Sequence, residues 1–467
     1  MGDIKQWSSR RHRRRHRYRR RHRRSESKDE KKLKDVKVAR PPLEVVGDER
    51  KLVQVADFGF LEGGQLTLTL EDYQLSNSTS PGMVAFYVRK GHAIGNVFPE
   101  PSSPTGDTAS DSACFLDNSF VKDELDDQVA EIHNVPVPFT DPWIIHLEVG
   151  SQEAGVWQVI FVNCKDTSVS FKLTVDEVNP GNNHLSAGDS PLPLVYGISS
   201  FAYLSAAAYW IHLLLIRKDT RVFRAHWLML VLMVIIVVNK ALQSAKYHYM
   251  KIGVLSGGWS IGFYVFASIK GLLSILIIVL LASGWMFIKP FLSSRDKSVI
   301  SIVVPLQILA NVASAIGGEA ALGSADWPFW NMLFPIIDLM ACGIILWTIL
   351  QTRKNLGTGS TADGKETDVL GKYKLWSSFY VVTLIYIYVT RIIVQLLQAI
   401  LPFQYVSWFG EAVSEIATLS FYVFIGPFAN NPYMQVADSP DEEDALDHNS
   451  SAHQESSIRL QAVNRRD

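Results

Sequence analysis

Two hydrophobic periodicities divide the chain. From Lys51 to about Pro191, apolar and polar residues alternate in short runs. "QLTLTLE" places Leu66, Leu68 and Leu70 on one face, and "SVSFKLTVDEV" does the same with Val169, Phe171, Leu173 and Val175. "MVAFYVR", "IIHLEV" and "VWQVIFVNC" are further strands, parted by Gly, Pro, Asn and Asp clusters. Short strands broken by turn signals predict an all-β sandwich over 51–190, with "PEPSSPTGDTASDS" as a loop. From Leu194 the alternation gives way to long apolar runs. A span needs roughly 20 apolar residues to cross a ~30 Å hydrocarbon core. The runs 194–216, 227–250, 259–284, 298–317, 327–350, 375–401 and 406–428 meet that measure. The expected fold is a membrane protein: an all-β sandwich followed by a seven-transmembrane α-helical bundle over 191–430.

Charge orients the spans. The loops "RKDTRVFRAH", "IKPFLSSRDKS" and "QTRKNLGTGSTADGKETDVLGKYK" are basic, whereas "GVLSGGW", "GEAALGSAD" and "PFQYVSW" hold no lysine or arginine. The basic side is cytosolic by the positive-inside rule. The sandwich is therefore expected in the lumen or outside the cell, and the acidic tail 431–467 in the cytosol. Of the three cysteines, Cys114 and Cys164 fall in that oxidising compartment and are expected to form a disulfide. Cys342 lies in the fifth span as a small packing residue. "NST" at Asn77 is a glycosylation sequon on the same side, while the sequon at Asn449 faces the cytosol and should be silent.

Residues 1–50 lack apolar periodicity and read as a basic disordered segment. An arginine run such as "RRHRRRHRYRRRHRR" ordinarily suggests nucleic acid. Seven membrane spans argue against that partner, and no nucleic acid is assigned. No apolar signal-peptide core precedes the sandwich. A misplaced start codon or an omitted leader exon is the simplest account.

No nucleophile elbow, phosphate-cradling loop or metal-ligand spacing appears, so the expected protein is not an enzyme and needs neither cofactor nor metal. Its distinctive chemistry lies inside the membrane. Measured from the luminal span ends at 1.5 Å per residue, Arg391 and Glu415 lie about 15 and 14 Å deep, and Lys240, Lys270 and Asp338 about 15–17 Å deep. Charges at that depth turn inward to pair or to line a wet cavity. One arrangement pairs Arg391 with Glu415, and Lys240 or Lys270 with Asp338. Three bases against two acids would leave one positive charge for an anionic ligand such as a lipid headgroup. In the tail, "YMQV" (Tyr433 to Val436) fits a tyrosine-based sorting motif, followed by acids from Asp441 to Asp444. Ser439 ahead of them suits an acid-directed kinase.

"FRAHWLMLVL", "NKALQSAKYHYM", "GWMFIKPFLSSRDK", "VVPLQILANVASA", "YIYVTRIIVQLL", "PFQYVSWFGE" and "EIATLSFYVFIGPFANNPY" resemble the lung seven-transmembrane receptor family, over roughly residues 51–433. Its members are Golgi-dynamics-domain seven-helix proteins, and the plant members are candidate G-protein-coupled receptors. The resemblance implies a Golgi-dynamics-like luminal sandwich, residence in Golgi and endosomal membranes, and a role in trafficking or as a receptor for protein cargo or ligand. Membrane lipid, trafficking adaptors and a Gα subunit are the implied partners. The alternatives are a G-protein-coupled receptor at the plasma membrane, and an ion channel or transporter. "NPY" at Asn431 to Tyr433 follows the last span, where it reads as a proline-terminated helix end. No Glu/Asp-Arg-Tyr triplet ends the third span, so G-protein coupling rests on class rather than motif.

Overall fold

A computed structural model describes residues 42–75, 84–91, 114–117, 121, 130–164, 168–216, 224–255, 257–283, 294–320, 322–324, 327–359 and 381–428, with Arg391 described in its backbone only. Asn77, the loop 99–112 and the tail bearing Tyr433, Val436, Ser439 and Asn449 lie outside the described residues, as do residues 1–41. The chain divides into two compact units, one built mainly by each periodicity.

The first unit is a β-sandwich. Its strands are β1 (Leu43–Asp48), β2 (Leu52–Phe60), β3 (Gln65–Leu75), β4 (Val84–Gly91), β5 (Ala130–Asn134), β6 (Trp143–Glu148), β7 (Gly155–Asn163) and β8 (Val169–Val178). They form two antiparallel four-stranded sheets, ordered β1-β8-β3-β6 and β2-β7-β4-β5. Leu66, Leu68 and Leu70 are buried on one face of β3, as the alternation predicts, and so are Val169, Phe171 and Leu173 on β8. Val175 is only half-buried, because the buried positions of β8 resume at Glu177. Aromatic rings join the sheets: Phe161 of β7 meets Phe171 of β8 at 4.7 Å between centroids, and Phe86 of β4 meets Trp143 of β6 at 6.1 Å.

The expected domain boundary at residue 51 is one strand too late. "LEVVGD" pairs with β8 in the register Leu43↔Leu173 and Val45↔Phe171, and both Leu43 and Val45 are buried. Two inward residues are too few for periodicity to show beside a basic run, yet they suffice for an edge strand. The disulfide joins Cys114 to Cys164, with Cα atoms 4.9 Å apart. It has a packing role. Residues 84–88 of β4 are all buried, so this strand is covered on both faces. Phe86 points to the core, while Tyr87 meets Phe115 edge-on at 6.0 Å. Phe115 opens the 3₁₀ turn Phe115–Asp117, which follows directly on Cys114. The cross-link thus fastens a cover over the second sheet.

The loop after β8 is held by one amide. Asn179 Oδ1 accepts from the Leu61 backbone N–H at 2.7 Å, and its Nδ2 donates to the carbonyls of Gly59 and Leu185 at 3.0 Å each. The side chain is buried and satisfied on both atoms, which fixes the turn Asn179–Asn183 against the end of β2.

The second unit is helical: α1 (Leu192–Ile216), α2 (Arg224–Lys251), α3 (Gly257–Ser283), α4 (Ser294–Glu319), α5 (Trp327–Gly359), α6 (381–400) and α7 (Val406–Phe428). All seven expected spans correspond to helices. The first five are long and apolar enough to cross a membrane by length and composition. Most ends agree to within four residues, but α5 runs to Gly359, nine residues past the expected 350, and α6 is described only from residue 381. Within α6 the π-helical turn Val389–Ile393 places Arg391 at its centre. A core of Tyr203, Trp210, Leu232, Met233, Ile277, Val279, Ile345 and Phe421 packs between helices. Large apolar residues such as Phe201, Ile261 and Leu339 stay exposed on the outer faces. That inversion suits a lipid surround, where apolar surface has no water to avoid.

Candidate functional site

A cavity of about 350 Å³ lies within the helical unit, and all seven helices contribute to its wall. This is within the range of small-molecule sites, ~300–1,000 Å³. The lining includes Tyr203 of α1, Lys240 of α2, Lys270 of α3, Asn311 of α4, Asp338 of α5, Thr390 of α6 and Glu415 of α7. Four of the five ionisable residues placed at one depth from sequence therefore meet around one space. The fifth, Arg391, follows lining residue Thr390, and its side chain is outside the described set.

Lys240 has a partner that the expected pairing does not give it. Lys240 Nζ lies 2.6 Å from Glu415 Oε1, so of the two lysines offered to Asp338, Lys240 is committed to α7 instead. Lys240 also donates to Gln243 Oε1 at 2.9 Å, one helical turn along α2, and lies 4.8 Å from the centroid of the Tyr196 ring. Its side chain is 5% exposed and that of Glu415 12%. Carbonyl, ring and carboxylate thereby replace the water an ammonium loses on burial. Glu415 Oε2 is buried and accepts no hydrogen bond from the described residues. Among described side chains the lining holds two lysines and two acids; the third expected base, Arg391, has its side chain outside the described set.

Neutral polar groups, which span counting could not single out, fill in the wall. Gln307 donates to Asn311 Oδ1 at 3.0 Å, and Asn311 donates to the Ser268 carbonyl at 3.2 Å. These amides crowd α3 because residue 271 is glycine: a Cβ there would sit 3.0 Å from Asn311 and 3.1 Å from Gln307. At the other end, the Ser274 and Tyr422 hydroxyls are 2.5 Å apart, bridging α3 to α7. Tyr386 stacks on Phe421 beside them at 4.3 Å. Cys342, the cysteine outside the disulfide and expected as a small packing residue, is buried in the wall. Among the described residues no three of His, Cys, Asp and Glu gather to hold a metal ion.

Residues 191–421 match the family model "GOST, seven transmembrane domain". The match starts at the first helix that builds the cavity and stops within the seventh. Residues 191–421 of this chain are thus a GOST-type seven-transmembrane domain, and the protein is a multi-pass membrane protein. It is also 29% identical over 410 residues to the protein named candidate G-protein coupled receptor 6 of Arabidopsis thaliana, covering 84% of this chain and 91% of the relative. That span reaches beyond the helices into the sandwich, as the resemblance read from the sequence implies. The GOST match agrees with seven spans, including the two that length and apolarity among the described residues do not single out.

Proposed function

We propose that this protein, with its GOST-type helical domain, is a non-enzymatic receptor of Golgi and endosomal membranes, with its sandwich in the lumen and its C-terminal tail in the cytosol. In this reading the sandwich engages protein cargo or ligand, the cavity takes a membrane lipid or other small ligand, and the basic loops meet trafficking partners. The observation that carries it is the Cys114–Cys164 cross-link, which fastens the cover of a recognition-sized β-domain. Such a bond persists in an oxidising compartment and not in the cytosol. It supports the same side that the lysine and arginine asymmetry favours for the sandwich.

The test is the steady-state location of the full chain tagged at its C-terminus, combined with cargo recovery by proximity labelling from the sandwich. Golgi and endosomal residence with recovery of luminal cargo is expected. Similarity to a protein named as a candidate G-protein-coupled receptor favours a second reading, signalling at the plasma membrane. Surface residence with ligand-stimulated nucleotide exchange on a Gα subunit would replace the first reading with that one. Ion flux from purified protein in liposomes would instead establish a channel or transporter.

A further inference from the structure

A second buried lysine, which the depth argument passed over, lies near the end of α2. Lys246 Nζ donates to the Tyr264 hydroxyl of α3 and to Glu319 Oε1 of α4, both at 2.9 Å. It also lies 4.4 Å from the centroid of the Tyr264 ring and 5.3 Å from that of Phe263. One ammonium thus ties together three helices. Its side chain is 10% exposed, whereas that of Glu319 is 52% exposed, so the group runs from the interior out to the surface.

Position gives the group its meaning. Lys246 is six residues beyond the cavity-lining Lys240 along α2, and Glu319 five beyond the lining Ser314 along α4, about 9 and 7.5 Å further along their helices. Phe263 belongs to both structures: its ring lies beneath Lys246, and it lines the cavity. Its carbonyl also accepts from Asn239 Nδ2 at 3.2 Å. The fit depends on glycine at 318, where a Cβ would come within 2.6 Å of the Tyr264 hydroxyl. Only a bare backbone lets that hydroxyl cross α4 to reach the ammonium.

We propose that Lys246, Tyr264 and Glu319 form a clasp that closes the cavity at the Phe263 end, and that parting it opens a route from the aqueous side. Nothing in this depends on which ligand the cavity takes, so the proposal stands or falls apart from the receptor reading.

The chain carries its own reporter. Cys342 lines the cavity, and the other two cysteines are joined, so a small water-soluble methanethiosulfonate can modify only that thiol. The experiment measures its labelling rate by mass spectrometry on the full chain in nanodiscs. Wild type should label slowly. Glu319→Gln and Tyr264→Phe should each label at least about tenfold faster, the shift in open population that losing one charge-assisted hydrogen bond produces. Ser200→Ala removes an α1–α2 contact outside the cavity wall, where Ser200 Oγ donates to the Val237 carbonyl at 3.0 Å, and should leave the rate unchanged. Tyr264→Phe removes a single oxygen and keeps the ring, so it carries the test even if Glu319→Gln fails to fold. Unchanged rates in the clasp variants would overturn the proposal. So would wild-type labelling as fast as in denatured protein, or equal acceleration by Ser200→Ala.

Discussion

Replacing Lys240 by methionine is the most informative single change to the cavity. The thioether keeps most of the stem and its contact with Tyr196 but removes the charge 2.6 Å from Glu415 Oε1. Glu415 would then be a carboxylate only 12% exposed, with no hydrogen bond to Oε2 among the described residues and Oε1 newly stripped of its partner. Stranding one member of a buried pair costs about 3–5 kcal/mol. Glu415→Gln should cost less, about 1–3 kcal/mol, because the amide oxygen can still accept from Lys240, which also keeps Gln243. The double variant leaves no buried charge at this contact. Its cost should fall short of the summed single costs by about 2 kcal/mol. The assay is reversible unfolding of the full chain in micelles of increasing denaturing-detergent fraction, with helical signal as readout. Additivity within about 0.5 kcal/mol would show that the two residues do not act as a pair, and would remove the ion pair as an organising contact of the bundle.

Further expectations concern the sandwich and the topology. Cys114→Ser/Cys164→Ser should destabilise the sandwich by about 4 kcal/mol in the chain-entropy model for a separation of 50 residues, and should raise protease sensitivity near Phe115; unchanged melting would refute this. Asn179→Ala strands the Leu61 N–H and the Gly59 and Leu185 carbonyls, and should cost about 3 kcal/mol by thermal unfolding. The Arg50 guanidinium hydrogen-bonded to Asp48 holds that carboxyl below its ordinary value. Its small contribution should be full at neutral pH and lost as pH falls through the lowered value, so Asp48→Asn should flatten the acid limb of the stability profile slightly. In sealed vesicles, protease added from outside should cut within the segment 360–374 and leave the sandwich intact; digestion of the sandwich from the cytosolic face would overturn the orientation.

The sequence made legible whatever a one-dimensional pattern can encode. Alternation located β3, β4, β6, β7 and β8, and apolar length located seven helices to within a few residues at most ends. Depth in the membrane is likewise one-dimensional, so Lys240, Lys270, Asp338 and Glu415 could be brought to one level and do line one cavity. Pairing is different. A helix turns about 100° per residue, so an uncertainty of one or two residues in phase or span end, harmless to depth, redirects a side chain to another neighbour. Which helices are neighbours is a property of the fold alone. The Lys240–Glu415 contact joins the second helix to the seventh, and no local pattern favours it over a contact with the fifth. Lys246 was hidden for a related reason: near a span end it reads as an ordinary snorkelling lysine. Tyr264 and Glu319 become its partners, with Gly318 leaving room for the hydroxyl, only when three helix ends converge. β1 shows the same limit in the sandwich, where two inward side chains gain meaning from β8, over a hundred residues away. Depth and alternation thus pick out which residues are removed from water, while neighbour identity decides what each of them then binds.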